Sequence, residues 1–431
     1  MSKPDREWKT RISQARKSER KLAKRIKNAR SRDARRKAIW DYLTSFDVRL
    51  VKTLEANRDL RPHRRRSRRK VMRVAEKVDP FTPTPKPVRF WLAPKKNGGW
   101  RPICDFPLTI RAGQLMVRAV LDACPIRLVT YSQRGVPEAL KKCRATVEKG
   151  GICYALRADV KSFYMSFAHP YIVSSLPIPK AVTANTVLIG RGQQLKELKG
   201  GNKPQSKNLS QGSPDDAAHT ARQGIPQGSL VSPLIADRIL SEVIRSLSLQ
   251  GTVIVYVDDV LILGSSKQAV QEDFKTLRSA LAEHPGGPLT LRRVQVSPLT
   301  VPIDFLGHTL RQHKDGTLGI SFSDWAFHMV CQKIGVFQNW IEDCSAGSEL
   351  AKSLLTRAKT FLEAWCNAFQ MADDLDMVRD MLEPYLKSDA RAHGLDWDKL
   401  PKSHPKLPAM EKGVYSLGEL EVLAESLLAS A

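Results

Sequence analysis

Two adjacent aspartates, Asp258 and Asp259, lie at the tip of a segment whose pattern predicts a tight β-hairpin, residues 251–264. Apolar and β-branched residues, which favour strands, run up to the pair and away from it. Two carboxylates this close repel each other unless a cation neutralises them. Hard divalent cations such as Mg²⁺ prefer carboxylate oxygens. The segment therefore indicates a metal site on a rigid scaffold or an acidic β-turn, and alone it does not decide between them.

A third carboxylate, Asp159, ends a segment that reads as a strand, residues 152–159, and aromatic residues follow it. A lone aspartate after a strand is usually a helix cap or a turn residue. Asp159 matters beside the hairpin, because a two-metal site takes carboxylates from separate strands and holds its cations about 4 Å apart.

The segment GIPQGSLVSPLIADRIL, residues 224–240, combines a flexible loop with a helix start. Gly224, Pro226 and Gly228 predict a loop with exposed backbone, and Ser232-Pro233 opens a helix because proline is favoured in the first turn. Such a loop lets a base pair or a sugar lie against the backbone, with Gln227 as its polar tip. Taken alone, the segment is a Gly/Pro-rich helix start.

Further elements must position these residues. Pro83, Pro85 and Pro87 mark a boundary, and residues 88–93 predict a strand that returns through the Asn97-Gly98-Gly99 turn into RPICDF. The remaining expectations, along the chain, are helices to about residue 150, a surface loop or insertion over about 180–223, a helix at about 267–283, short strands near 289–312, and helices from about 323.

The charge of the chain is concentrated at its start. The net charge is +26, and residues 1–70 hold 26 Lys plus Arg against 8 Asp plus Glu, a net of +18. This balance predicts a polyanionic partner, either nucleic acid or a membrane surface. The stretch to about Arg36 is predicted to be a solvated basic helix or a segment that folds on its partner. The apolar residues Ile39, Leu43, Phe46, Leu50 and Leu54 then predict a helix that packs, and a second basic run follows with Arg61, Arg64, Arg65, Arg66, Arg68, Arg69 and Lys70.

Several protein classes are disfavoured by composition. The sequence contains no run of 18 or more apolar residues, which argues against a membrane span. No apolar stretch of the kind found in a secretory signal follows the N-terminal MSKPDREWKTR. The seven cysteines are scattered without a CxxC pair, which argues against a zinc cluster or a disulfide framework. These features predict a cytoplasmic protein with reduced cysteines and no membrane partner.

Taken in order, Asp159 with its aromatics, GIPQGSLVSP and YVDD resemble motifs A, B and C of reverse transcriptases. WLAPKKNGGWRPICDF resembles the fingers hairpin of that family, TYSQRGVPEAL the next finger segment, and IDFLGHTL the primer-grip motif. The resemblance covers roughly residues 85–312. It implies an α+β right-hand polymerase with antiparallel sheet and helices, divided into a basic helical extension (1–75), fingers (76–155), a palm with the insertion (156–312) and a helical thumb or C-terminal region (313–431).

The resemblance also implies roles for individual residues. Asp159, Asp258 and Asp259, with the main chain of Val160, would bind two Mg²⁺ ions, or Mn²⁺, for attack of a primer 3′-hydroxyl on the α-phosphate of a deoxynucleotide. The implied nucleotide contacts are Lys95 or Lys96, Arg101, Gln227, Gly228 and Tyr164, an aromatic gate against a 2′-hydroxyl; the implied primer contacts are Tyr256, Phe305, Leu306 and Gly307. One departure is Gln295, which stands where the family often has a lysine that protonates pyrophosphate. Arg292 or Arg293 is a poor substitute because the pKa of arginine is too high.

Within the family, exclusions favour one subgroup. The chain shows no RNase H carboxylate set, no HNH-type cluster and no NAxxH or VTG segment of retron type. Its outline resembles the compact bacterial defence-associated reverse transcriptases that work with a noncoding RNA. The partners so implied are a structured noncoding RNA that serves as template for cDNA, a DNA primer and product, and deoxynucleotides; the oligomeric state stays open.

Three other functions remain in play. An RNA-dependent RNA polymerase shares the palm, although Tyr164 speaks against it. Template-independent or protein-primed DNA synthesis occurs among relatives. A non-enzymatic RNA-binding protein with an inactive palm is disfavoured because all three carboxylates are present.

Overall fold

The computed structural model describes residues 3–60, 62–94, 100–124, 126–198 and 214–401. The α-helices in these residues are α1 (Lys3–Asn28), α2 (Arg32–Thr44), α3 (Phe46–Arg58), α4 (Arg68–Glu76), α5 (Leu108–Ala123), α6 (Val136–Val147), α7 (His169–Ser175), α8 (Lys180–Val182), α9 (Pro214–Arg222), α10 (Ser232–Arg245), α11 (Lys267–Glu283), α12 (Asp324–Glu342), α13 (Glu349–Ala368) and α14 (Leu375–Ala392). The strands are β1 (Val88–Pro94), β2 (Trp100–Asp105), β3 (Tyr154–Val160), β4 (Leu195–Glu197), β5 (Thr252–Tyr256), β6 (Asp259–Gly264), β7 (Leu291–Pro298), β8 (Ile303–Phe305), β9 (His308–Gln312) and β10 (Leu318–Phe322). Short 3₁₀ turns lie at Pro62–Arg64 and Phe163–Ser166, and a π turn at Thr183–Val187.

The described residues divide into two compact units. The first takes in those within 1–133, 160–247 and 277–291. The second takes in those within 134–159, 248–276 and from 292 onward. The chain has the mixed helix and antiparallel-sheet composition expected of an α+β protein.

In the first unit, the basic N-terminal segment is helical and packs through one face. Helix α1 contributes Ile12 and Ala15 to an apolar cluster with Leu50 of α3 and Val71 of α4. The phenol of Tyr42 in α2 donates a hydrogen bond to Glu19 of α1 at 2.8 Å. The segment therefore belongs to a folded helical layer, with its charges on the side that does not pack.

A break at Ser45 divides the helix predicted from the apolar spacing of Ile39 to Leu54. Helix α2 ends at Thr44 and α3 begins at Phe46, with Ser45 in an extended conformation (φ −67°, ψ 126°) as N-cap of the second helix. Serine favours caps over helix interiors because its side chain competes for backbone hydrogen bonds. The predicted packing is confirmed, since Ile39, Leu43 and Leu50 are buried, but the predicted continuity is wrong.

Residues 180–197 are built into the first unit, whereas their composition predicts mostly a surface loop. Helix α8 and the π turn bury Val182, Thr183 and Val187, and β4 adds to β1 as a parallel strand. The loop prediction is wrong here because the apolar residues, few over the whole segment, are concentrated in AVTANTVLI. Residues 199–213 of the segment lie outside the described residues.

The second unit contains a four-stranded sheet in the order β5-β6-β3-β7. The predicted hairpin is confirmed: β5 and β6 pair antiparallel, with Tyr256 opposite Asp259. Strand β3 pairs antiparallel with the other edge of β6. Residues Val260–Leu263 are fully buried, as a continuous apolar run predicts for a strand covered on both faces.

The helices predicted after residue 323 are confirmed as α12, α13 and α14, which share an apolar core in the second unit. Their starts are capped, since the hydroxyls of Ser323 and Ser348 accept hydrogen bonds from the N–H groups of Ala326 and Ala351 at 3.3 and 3.2 Å. Within the described residues, no helix has both the length and the apolar character needed to cross a bilayer.

Lys333 places a charge in this helical core. Its side chain is only 8% exposed, and its ammonium lies 5.2 Å from the centroid of the Phe337 ring. Burial lowers the pKa of Lys333 from 10.5 to about 8. Between these two values the unfolded chain holds a proton that the folded chain has released, so the stability of the fold rises with pH across that window.

We expect Lys333→Met to raise the free energy of unfolding by about 1–3 kcal/mol near neutral pH, because one pKa unit corresponds to about 1.4 kcal/mol. The gain should shrink as the pH rises through the window, and urea unfolding at several pH values measures it. Lys359→Met is the control: this lysine also lies over an aromatic ring, 5.2 Å from Trp397, but donates to the Trp397 carbonyl at 2.8 Å. The control should lose stability. A destabilised Lys333→Met variant near neutral pH contradicts the expectation.

Candidate active site

Two of the predicted catalytic carboxylates lie side by side on adjacent strands of the second unit. The register of β3 and β6 places Asp159 directly opposite Asp259, and such pairs have Cβ atoms about 4.5–5.5 Å apart. Both side chains are half-buried, and Asp258 is exposed in the tip that precedes Asp259. The fold therefore sets Asp159 opposite Asp259, which comes 100 residues later in the chain, and Asp258 precedes Asp259 in the turn.

The hairpin tip carries backbone strain. Tyr256 and Asp259 pair across a two-residue turn, and the first residue of that turn, Val257, has a φ of +57°. Two-residue hairpin turns require positive φ at this place, which glycine adopts most easily. A β-branched residue there costs on the order of 1–3 kcal/mol, and such strain concentrates at functional sites. The sheet thus holds Asp258 in place against a local preference of the chain.

Two arginines neutralise the opposed carboxylates. Arg292 donates from Nε and Nη2 to the two carboxylate oxygens of Asp159, each at 3.0 Å. Arg157 donates to Asp259 Oδ1 at 3.3 Å. Burial raises the pKa of Asp259, and the Arg157 guanidinium acts in the opposite direction. These ion pairs compensate the repulsion between the two aspartates.

The sequence interpretation missed both pairings. Arg157 precedes Asp159 by two residues in one strand, so the period of two already places them on one face. Nothing local connects Arg292 with Asp159, because their contact depends on the pairing of β7 with β3.

The chemistry of the donor set fits a hard cation. Carboxylate oxygens are the ligands that Mg²⁺ and Mn²⁺ prefer, and the arginines mark a place where positive charge is stabilised. Val160 is buried, so only its main chain could take part. Among the described residues, no three His, Cys, Asp or Glu side chains are already arranged as a metal site. A divalent cation at Asp159 must therefore compete with the Arg292 guanidinium.

We expect Arg292→Gln to tighten the binding of Mn²⁺ by about two- to fivefold, since the guanidinium no longer competes for Asp159 and exposed ion pairs are weak. Titration of the purified protein with Mn²⁺, read by calorimetry, measures this without reference to activity. Arg293→Gln is the matched control, because Arg293 is exposed and has no carboxylate partner among the described residues. Weaker Mn²⁺ binding in the Arg292→Gln variant contradicts competition.

A second group of predicted site residues lies in the first unit, around the loop of residues 224–228. The N–H of Ile225 donates to the carbonyl of Tyr164, and the N–H of Cys104 donates to the carbonyl of Gln227, both at 2.8 Å. The loop thus joins the 3₁₀ turn of Tyr164 to strand β2, which carries the exposed Arg101. Lys95 and Lys96 lie outside the described residues.

Two glycines permit these contacts. Gly224 and Gly228 have φ values of +59° and +94°. A Cβ atom would lie 2.0 Å from the Tyr164 carbonyl oxygen at Gly224 and 2.2 Å from the Cys104 carbonyl oxygen at Gly228. Only glycine allows the three backbone segments to approach so closely.

A comparison with protein families covers the span that holds both groups of predicted site residues. The family model for reverse transcriptase (RNA-dependent DNA polymerase) matches residues 93–310, which is half of the 431-residue chain. The chain belongs to the reverse transcriptase family. Members of this family typically use divalent metal ions, which agrees with the donor set of the second unit. No curated protein gives a significant match.

Solved structures that match the chain at low TM-score include a viral protease–reverse transcriptase and two telomerases. A foamy viral protease–reverse transcriptase in complex with double-stranded DNA has 13% identity and a TM-score of 0.36, over 80% of this chain and 44% of that chain. Telomerase from Candida albicans with a telomeric RNA fragment has 13% identity and a TM-score of 0.31, over 73% and 62%. Telomerase from Candida tropicalis, also with a telomeric RNA fragment, has 12% identity and a TM-score of 0.34, over 70% of this chain and 55% of that chain. The chain spans 44–62% of the length of these proteins.

In this reverse transcriptase, the residues predicted to grip the primer form a second tight turn. Phe305 and His308 pair across Leu306-Gly307, and both turn residues have positive φ, +54° and +78°. The Phe305 ring is fully buried, so its side chain supports the turn from within. Leu306 and Gly307 form the tip. Gln295, at the position of the missing lysine, donates weakly to Ser297 Oγ at 3.4 Å and to the Pro302 carbonyl at 3.3 Å.

In the second basic run of the reverse transcriptase, some arginines form ion pairs within the fold and the other described members are exposed. Arg64 is committed to the fold through Asp105, with hydrogen bonds of 2.8 and 3.2 Å. Arg68 pairs with Asp5 of α1. Arg65, Arg66, Arg69 and Lys70 are exposed, and Arg61 lies outside the described residues. The exposed members are those able to meet a partner.

Proposed function

We propose that the chain copies an RNA template into DNA by nucleotidyl transfer at Asp159, Asp258 and Asp259. The observation that carries this proposal is the register that sets Asp159 opposite Asp259 beside the strained tip of Asp258, within the matched reverse transcriptase span. These carboxylates would hold divalent cations, whose chemistry would be to activate the primer 3′-hydroxyl and to stabilise the departing pyrophosphate.

The residues around the three carboxylates are proposed to bind and orient the primer and the nucleotide. The Arg157 guanidinium balances the negative charge of the Asp259 carboxylate. Tyr256, which pairs with Asp259 across the hairpin, is proposed to contact the primer end. Leu306 and Gly307 are proposed to bind the primer strand through the backbone groups of their turn. Arg101 is proposed to bind the triphosphate, since a guanidinium matches phosphate geometry.

The loop of Gly224–Gly228 is proposed to select the nucleotide. Its hydrogen bonds hold Tyr164 through the main chain, so the phenol ring has a supported base from which to exclude a 2′-hydroxyl. Gln227 is proposed to contact the sugar. In this proposal residues 76–155 act as fingers, 156–312 as palm, 313–431 as thumb and 1–75 as an RNA-binding extension.

The template is proposed to be a structured noncoding RNA bound by the basic extension, in a compact bacterial enzyme of antiphage defence. The net charge of +18 over residues 1–70 supports a stable polyanionic partner. Purification from the host, followed by sequencing of the RNA and DNA that accompany the protein, tests this finer assignment. Protein that carries no discrete RNA refutes it.

Primer extension by the full chain tests the polymerase itself. The expected result is extension on an RNA template with deoxynucleotides and none with ribonucleotides. Extension with ribonucleotides alone identifies an RNA polymerase, and extension without RNA identifies template-independent synthesis. DNA linked covalently to the protein identifies protein priming. RNA binding without any synthesis identifies an inactive palm.

A further inference from the structure

Helix α1 has one packed face and one exposed face. The packed face buries Ile12, Ala15 and Ile26. Its flanking arginines form ion pairs, Arg11 with Asp47 at 2.6 Å and Arg25 with Asp41 at 3.0 Å. The helix is thus attached to the first unit along its length, and the direction of its outer face is set.

The outer face of α1 carries a row of seven cations and one neutral residue, Ser13, which we call the basic stripe. At ~100° per residue, its members fall within an arc of about 100° and extend over about 30 Å of helix. All are exposed, and none forms an ion pair with a carboxylate among the described residues. The members of the basic stripe are Arg6, Lys9, Ser13, Arg16, Lys17, Arg20, Lys24 and Lys27.

The positive charges of the basic stripe do not stabilise helix α1 itself. Arg16, Arg20 and Lys24 follow one another at four-residue spacing, and each like-charged pair of this kind destabilises a helix by about 0.2–0.5 kcal/mol. An ordinary solvated helix places acidic residues among its basic ones at this spacing. The basic stripe has none, so a polyanion is the partner that would neutralise it.

Two shallow grooves run beside the basic stripe. One of about 560 Å³ is lined by Trp8, Ile12 and Ser13 together with Lys9, Arg16, Lys17 and Arg20. The other, of about 470 Å³, lies between α1 and α2 and includes Lys24 and Lys37 in its lining. At the N-terminal end, Arg68 lies 6.0 Å from the Trp8 ring centroid, which connects the basic stripe to the exposed start of α4.

The chemistry of the basic stripe favours a double-helical partner over a single strand. Proteins that bind single strands combine positive charge with aromatic side chains on which bases stack. No member of the basic stripe is aromatic, and Trp8, which lines the first groove, is partly buried against the cluster of Ile12 and Ala15. A rigid row of cations contacts backbone phosphates only, which is how double-helical RNA is recognised by shape. We propose that the basic stripe binds the phosphate backbone of a double-helical stem in the RNA partner, an inference that rests on the proposed function.

The test neutralises four members of the basic stripe, Arg16→Gln, Lys17→Gln, Arg20→Gln and Lys24→Gln, in the full chain. The matched control neutralises four exposed lysines of the second unit that have no carboxylate within 4.0 Å among the described residues, Lys149, Lys267, Lys275 and Lys314. Fluorescence anisotropy at several salt concentrations gives the affinity for a hairpin RNA. Because the slope of log K against log salt is about −0.9 per phosphate contact, the slope should become shallower by about 3–4 in the basic-stripe variant and stay unchanged in the control.

Further arms separate the possible outcomes. The thermal midpoint of the basic-stripe variant should equal or exceed that of the parent, since like-charge repulsion is relieved; a lower midpoint indicates a structural role. The proposal is overturned if the salt slope is the same in both variants, or if the parent binds an unpaired RNA of equal length more tightly than the hairpin RNA. It is also overturned if both variants bind anionic lipid vesicles and RNA with equal affinity. DNA synthesis on a short supplied primer–template should fall by a smaller factor than the affinity for the hairpin RNA, because that substrate lacks the stem. Absence of that synthesis in the parent refutes the proposed function and leaves the result for the basic stripe standing.

Discussion

Replacement of Asp258 and Asp259 by asparagine is expected to abolish DNA synthesis while the RNA affinity of the protein stays within about twofold. Asparagine keeps the size and one acceptor oxygen of each side chain but removes the charge that holds a hard cation. Loss of this charge stabilisation should reduce the rate of primer extension by about a thousandfold or more. Primer extension and RNA-binding assays on the same purified variant measure both effects.

The single variant Asp159→Asn should show the same loss, because its carboxylate stands opposite Asp259 in the sheet. Asp315→Asn is the control: Asp315 is an exposed carboxylate of the second unit whose Oδ1 accepts hydrogen bonds from the N–H and Oγ1 of Thr317 at 2.9 and 2.6 Å, and an amide oxygen can still accept them. Its activity should equal that of the parent. Primer extension by the double variant at the parental rate would refute nucleotidyl transfer at this hairpin.

Alanine at Gly224 or Gly228 is expected to be the most damaging small substitution in the first unit. Each new Cβ atom would meet a backbone carbonyl at 2.2 Å or less, and backbone cannot rotate away as a side chain can. Overpacking costs about 1–3 kcal/mol and the positive φ adds about 1–2 kcal/mol. The free energy of unfolding should therefore fall by about 2–5 kcal/mol, measured by urea unfolding, and DNA synthesis should fall with it.

Gly316→Ala separates the two contributions. Gly316 has a φ of +86°, close to that of Gly228, but no atom lies within 4 Å of the position of its Cβ. This control should lose only the backbone part, about 1–2 kcal/mol, with activity retained. Equal losses at Gly228 and Gly316 would show that the contact with Cys104 is unimportant.

The elements around the site were predictable where their signals are local. The hairpin at Asp258 and the strand that leads to Asp159 are runs of strand-forming residues bounded by turns, so the periodicity of the sequence determines both. The loop at Gly224–Gly228 could be predicted from glycine and proline alone. Its contacts with Tyr164 and Cys104 could not, because they join segments about 60 and 120 residues away.

Errors arose where distant packing decides the local structure. Ser45 interrupts an apolar spacing that continues through both helices, so the spacing alone does not reveal the break. Val182 and Val187 are buried although the polar residues around them predict a loop. The ion pair between Arg292 and Asp159 depends on strand pairing, and a one-residue slip of β7 would turn every side chain to the other face.

The pairing of the opposed aspartates with Arg157 and Arg292 has a consequence for how the protein matures. Proteins whose carboxylate or thiolate clusters lack internal counter-charges depend on metal to complete folding, and chelators unfold them. Here the counter-charges belong to the same polypeptide, so the sheet can form during synthesis without any metal supply. A divalent cation at the proposed site would then be recruited by a finished scaffold, and a chelator should abolish DNA synthesis reversibly without unfolding the protein.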